Sequence, residues 1–116
     1  MKNTIEVPIL NTEYKVVVCW GDPNTVSKTL KRYGHKPDTT NLFNGTNRGM
    51  CFYSEGCHPV IALPSYPKTG ENIGTLAHES VHAIEDIFMK INQPTGGELF
   101  AHSIGAIVRI VISKGK

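Results

Sequence analysis

The chain has 116 residues, enough for one domain with a single core and too few for two. A hydrophobic fraction of 40% and a charged fraction of 19% are those of a folded globular protein and exclude a disordered one. The net charge of +2, with Lys and Arg scattered, gives no basic footprint for nucleic acid, and no apolar run follows Lys2 to make a secretory signal.

The first half is built from short elements. Ile5 to Leu10 reads as an edge strand weakened by Pro8. Tyr14 to Trp20, rich in β-branched and aromatic residues, reads as a second strand. Asp22 and Pro23 then supply the cap and first position of a helix, Val26, Leu30 and Tyr33 recur along it, and Gly34 closes it. His35 to Arg48 is polar and turn-rich, as a surface loop is. Gly49 to Ser54 and His58 to Leu63 read as two strands around a hairpin turn at Glu55-Gly56.

The second half is helical. After a connector over Pro64 to Asn72, the spacing predicts a long helix from Ile73 to Ile91, with Leu76, Ala77, Ser80, Ala83, Ile84, Ile87 and Ile91 on its apolar or small face. Asn92 to Gly97 is a turn and Glu98 to Ser113 a second long helix. The apolar stretch from Leu99 to Ser113 carries His102 and Arg109 and is too short to span a membrane, so it reads as a buried amphipathic helix. The expected fold over residues 1–116 is α+β. A small mixed or antiparallel sheet packs on an N-terminal helix, a central helix and a C-terminal helix. The three cysteines, Cys19, Cys51 and Cys57, form no C-x-x-C pair and read as reduced thiols of a cytoplasmic protein, with Cys51 and Cys57 flanking the hairpin turn.

The central helix carries the chemistry. His78-Glu79-Ser80-Val81-His82 spells H-E-x-x-H. On a helix the two imidazoles at i and i+4 share a face and converge on one zinc ion, and the intervening Glu79 falls beside the water that such an ion activates. Two histidines do not complete a stable site, so a third protein ligand is expected. Glu85 and Asp86 lie too soon on the same helix, whereas Glu98 opens the next one and a helical hairpin can carry it alongside His82. Thr95-Gly96-Gly97-Glu98 also fits a capping box, in which Glu98 would bond to the cap's backbone instead. His102, four residues after Glu98, shares its face. It has three open roles: bracing a ligand, donating to an oxyanion, or standing at the helix surface. His35 and His58 lack ligand spacing and read as surface residues.

With those residues in view the chain resembles a zincin metallopeptidase of the gluzincin branch. The match is closest from Thr75 to Ile110, in Thr-Leu-Ala-His-Glu-Ser-Val-His-Ala and Gly-Glu-Leu-Phe-Ala-His-Ser-Ile-Gly. The second piece is similar to the glutamate helix of very small, often phage-encoded members, the minigluzincins, in which a tyrosine often stands where this chain has His102. The resemblance implies a zinc-dependent endopeptidase acting on peptide or protein substrates, with His78, His82 and Glu98 holding Zn2+ and Glu79 as the catalytic base; His102 is a catalytic candidate by its spacing from Glu98 alone, a departure from the family's tyrosine. It further implies that Met50, Cys51 and Phe52 form the strand along the upper rim of the cleft, with Val60 to Leu63 behind. A substrate can add to such an exposed edge as an extra strand. The expected protein is a cytoplasmic monomer. The rival expectations are a zinc-stabilised binding or inhibitory module that keeps the scaffold and cleaves little, and a helical-hairpin interaction protein with a chance motif and no metal.

Overall fold

A computed structural model describes residues 3–114. Its elements run β1 (Thr4–Pro8), β2 (Lys15–Trp20), α1 (Pro23–Arg32), α2 (Thr40–Phe43), β3 (Met50–Phe52), β4 (Val60–Leu63), α3 (Gly70–Lys90) and α4 (Glu98–Lys114). The fold is α+β, with a four-stranded mixed sheet in the order β1-β2-β4-β3. β1 and β3 form the edges and pair antiparallel to their neighbours, while β2 and β4 run parallel in the centre.

The run Val16-Val17-Val18-Cys19-Trp20 has no polar alternation because both faces of β2 are covered. Val16, Val18 and Trp20 point one way, with Ile61 and Leu63 of β4, into the core built with Leu76, Ala83, Ile84, Ile87 and Phe88 of α3 and Ile107 and Val111 of α4. Val17 and Cys19, with Val60 and Ala62, point the other way against Val26 and Leu30 of α1 and Leu42 of α2. The strand period of two thus divides one apolar run between two helical layers.

The element ends follow ordinary capping chemistry. The Asp22 carboxylate accepts the Thr25 N–H at 2.8 Å, and Pro23 occupies the first turn where no N–H is needed. Gly34 ends α1 at φ +87°, a left-handed position that strains any side chain, and a Cβ there would also meet Cys57 Sγ at 3.2 Å. α3 begins at Gly70, before the expected Ile73, because the Thr69 side chain accepts the Asn72 N–H at 3.1 Å. At its other end Gln93 donates its N–H to Phe88 O at 2.8 Å across Asn92, whose φ is +56°.

Two expectations are corrected. Residues 35–48 are not wholly a surface loop, since Thr40–Phe43 forms one helical turn that buries Leu42 against the sheet. His35 is not a surface residue: it is 8% exposed, with Nε2 2.8 Å from the carbonyl of His58. It ties the end of α1 to the strand that leads into β4. His58 in turn accepts the Lys15 N–H on Nδ1 at 3.3 Å and sits edge-on to Tyr14. His35 thus fastens the end of α1, and His58 the start of β2, to the segment just before β4. Among the described residues no helix is long and apolar enough to cross a membrane.

Lys90 joins the end of α3 to the β3–β4 hairpin. Its ammonium donates to Asp86 Oδ2 at 2.7 Å, Ser54 O at 2.8 Å and Cys57 O at 2.7 Å, and it lies over the Tyr14 ring. Both side chains of the Lys90–Asp86 pair are only 12% exposed, so removing one strands the other. Lys90→Met is expected to cost about 2–4 kcal/mol in urea unfolding, by leaving a buried carboxylate and two carbonyls unpaired. Lys15→Met, at the exposed Lys15–Glu6 pair, is expected to cost under about 1 kcal/mol. Equal losses in the two variants would contradict the anchoring role of Lys90.

Candidate functional site

α3 buries Leu76, Ser80, Ala83, Ile84, Ile87 and Phe88. Ser80, inside the motif, returns its hydroxyl to Leu76 O at 2.7 Å, which lets a small polar residue face the core fully satisfied. Burying that face turns the opposite stripe outward, and His78, Glu79 and His82 lie on it, His78 exposed and the other two half-buried. The two imidazoles stand 5.1 Å apart between ring centroids, at an interplanar angle of 78°. A zinc bonded at about 2.0–2.1 Å lies roughly 3.2 Å from each ring centre, so this spacing subtends about 105°, near the tetrahedral angle. That centroid spacing is one that two imidazoles on a single metal ion can have.

Burial raises the pKa of Glu79 above the usual carboxylate value, against the lowering effect of His78 and His82. That is the direction a general base needs if it is to compete for a proton near neutral pH. His82 Nδ1 lies 3.6 Å from Glu85 Oε1, within ion-pair range though beyond a hydrogen bond.

β3 runs beside this stripe as an edge strand, paired only with β4. Its side chains divide by the strand period. Cys51 packs on the α3 side, whereas Met50 and Phe52 pack on the α1 side. Of the three rim residues, only Cys51 therefore offers its side chain to the motif helix. Met50 and Phe52 can line a groove there through the backbone alone. Burial, followed by the carboxylates of Glu79 and Asp86, pushes the Cys51 thiol strongly up, so it stays protonated and unreactive.

Gly49 sets how closely β3 approaches α3. A Cβ there would meet Thr75 Cγ2 at 2.8 Å, Leu63 Cδ2 at 2.9 Å and Glu79 Cγ at 3.4 Å. Any side chain there would force Thr75 and Leu63, or the strand itself, to shift one turn from the motif. Sequence reading treats Gly49 as a strand end, and only the tertiary approach reveals its role.

Two hollows flank the histidine pair. One of about 490 Å³ lies at the start of β3, between Asn47–Gly49 and Gly74, Thr75, His78 and Glu79, with the Arg48–Glu71 ion pair at its rim. The other, of about 590 Å³, lies past the far end of β3, between Tyr53, Glu55 and Thr95 and the stretch of α3 from His82 to Lys90.

The structure does not bring the remaining expected residues to this centre. Glu98 is exposed as the first residue of α4, and His102 is exposed one turn on. Phe100 packs edge-on against Phe88 at 5.6 Å, which anchors the opening of α4 about 9 Å beyond His82 along the α3 axis. Among the described residues, no three His, Cys, Asp or Glu side chains are grouped closely enough to hold a metal. The capping-box alternative for Glu98 is corrected as well. The Gly97 carbonyl accepts the Ala101 N–H at 3.0 Å and the helix starts at Glu98, so Glu98 opens the first turn rather than filling the third position of a box led by Thr95. No family model, curated protein or solved structure matches the chain.

The buried carboxyl gives a pH test with a definite sign. A carboxyl whose pKa is raised on folding contributes stability below the ordinary carboxylate range and loses it as pH rises through the folded value. In metal-free protein, Glu79→Gln is therefore expected to melt at a higher temperature than the parent at neutral pH. The gap should close as pH falls to about 4. A variant that melts lower than the parent at neutral pH would contradict the burial of an ionised Glu79.

Proposed function

We propose that the chain is a small cytoplasmic zinc-dependent peptidase that cleaves peptide bonds in an extended substrate laid along β3. The observation that carries the proposal is the alignment of His78, Glu79 and His82 on the solvent-facing stripe of α3, beside an unpaired strand edge. His78 and His82 would hold the zinc, and Glu98 is the proposed third protein ligand. That assignment requires the turn at residues 92–97 and the first turn of α4 to close toward His82. When bound, zinc polarises the scissile carbonyl and acidifies water.

The chain's own residues supply the rest. The free edge of β3 offers backbone N–H and C=O groups that fix an added strand in register, and Gly49 keeps that edge close enough to α3 for the scissile bond to lie over Glu79. Glu79 accepts a proton from the attacking water and returns it to the leaving amine nitrogen, and its raised pKa suits both transfers. His102 is proposed to brace Glu98 or to donate to the oxyanion once α4 closes. The free cysteines suit a reducing compartment.

A second reading is favoured by the position of Glu98, exposed and outside any three-residue metal group. On that reading the chain is a zinc-stabilised binding or inhibitory module that takes a peptide on β3 without cutting it. Metal analysis of protein purified without added zinc, together with turnover of a quenched peptide library, separates the readings. The peptidase is expected to carry one zinc, to lose it in His82→Ala, and in Glu79→Gln to keep it while losing activity by about 10²–10⁴-fold. Glu98→Ala is expected to weaken zinc binding, and full retention there removes Glu98 from the ligand set. Zinc with no hydrolysis in the parent favours the binding module, and loss of zinc in Glu79→Gln would contradict its assignment as the base.

A further inference from the structure

The hollow past the far end of β3 combines acidic and apolar side chains. Its walls carry the carboxylates of Glu55, Glu85 and Asp86 against one ammonium, that of Lys90, an excess of two negative charges on a chain whose net charge is +2. Lys90 is not available to a ligand, because Asp86, Ser54 O and Cys57 O already take the three hydrogens of its ammonium. Glu55 and Glu85 are both exposed and face the hollow from opposite walls, the hairpin turn and α3. Between them lie Tyr53, 54% exposed, and Met89, 78% exposed. Among the described residues four large apolar side chains are exposed, and two of them line this one cleft.

The combination selects an occupant. An apolar floor with acidic walls suits a side chain that has a long hydrocarbon stem and a cationic end. The stem covers Met89 and Tyr53, and the head reaches the carboxylates of Glu55 and Glu85. A guanidinium adds stacking on the Tyr53 ring and forked bonds to a carboxylate. An acidic side chain would meet the carboxylates of Glu55 and Glu85, while the Lys90 ammonium is already taken. A small neutral one would leave the exposed apolar floor uncovered.

The placement also gives a direction. His82 lines this cleft, whereas His78 and Glu79 line the hollow at the other end of β3, where Arg48 is already paired with Glu71. The cationic residue therefore falls on the His82 side of the bond over Glu79. The wall is also firmly held, since Lys90 ties the Ser54–Cys57 turn that presents Glu55 to the helix that presents Glu85 and Met89.

Resting on the peptidase reading above, we infer that this cleft is the specificity subsite and that it takes an arginine or lysine side chain of the substrate. Glu55 sets the charge preference from the turn, and Met89 and Tyr53 provide the floor. Glu85 contributes charge from the helix but also lies beside His82, so it is not the position at which to test the idea.

The test measures binding and cleavage separately. Fluorescent peptides that differ at one position only, carrying Arg, Lys, norleucine or Glu, are titrated into Glu79→Gln protein and followed by anisotropy. The same peptides are offered to the parent for hydrolysis. Arg and Lys peptides are expected to bind on the order of tenfold more tightly than norleucine, with Glu weakest and the preference falling as salt rises. Adding Glu55→Lys, at an exposed turn position, should bring Arg and norleucine binding to within about twofold of one another. Equal binding of Arg and norleucine, or a preference that survives Glu55→Lys, overturns the inference. Hydrolysis by the parent with no basic preference overturns it too and leaves the peptidase reading standing. A Glu55-dependent basic preference without any hydrolysis keeps the cleft and overturns the peptidase reading. Neither binding nor hydrolysis of any peptide overturns both.

Discussion

Everything in this molecule depends on one face of α3 being buried against the sheet. Leu76, Ala83, Ile84, Ile87 and Phe88 fill the core beside Val16, Val18 and Ile61, and a helix fixed on one side by five apolar residues has no freedom to rotate. The stripe carrying His78, Glu79 and His82 is thereby held toward the open side, next to the β3 edge of the sheet. Ser80 shows how tightly the two demands are interleaved. It belongs to the motif by sequence and to the core by position, and it satisfies both by returning its hydroxyl to its own helix.

The sheet serves the same end. With β2 and β4 parallel and central, both faces are covered by helices, and the polar chemistry is displaced to the edge and the helix surface. β3 is three residues long, yet it is held at both ends, by the close approach of Gly49 at its start and the Lys90 network beyond its end. A short strand fixed this way leaves its outer edge open. Such an edge would pair with another chain if it were long and flat, and its three-residue length limits that risk while still accepting a peptide.

Much of this was legible in the residues. The β-branched run of β2, the Asp22-Pro23 start of α1, Gly34, the Glu55-Gly56 turn and the two long helices all carry local signals strong enough to read, and the structure bears them out. What escaped depends on distant partners. The α2 turn forms because Leu42 finds the apolar face of β4, and His35 is buried because a carbonyl 23 residues away accepts it. Gly49 and Lys90 look ordinary in sequence, and only their neighbours reveal them. The motif was visible from spacing, since i and i+4 is a property of the helix itself. The exposed position of Glu98 was not, because it depends on how α4 docks, to which the Phe88–Phe100 contact contributes and which no local pattern encodes. The rim was half-read: β3 is the edge, but strand period turns Met50 and Phe52 away from α3 and leaves Cys51 facing it.

Partial burial makes Glu79 hold its proton more tightly than a free carboxyl, the direction that the proposed base requires. The central claim of the proposal is that His78 and His82 share one metal ion. X-ray absorption at the zinc edge of protein loaded with a single equivalent tests it most directly. Two imidazole nitrogens at about 2.0–2.1 Å, with oxygen donors completing a four-coordinate shell, are the expected result. A six-oxygen shell with no imidazole scattering, or a single nitrogen ligand, would contradict it.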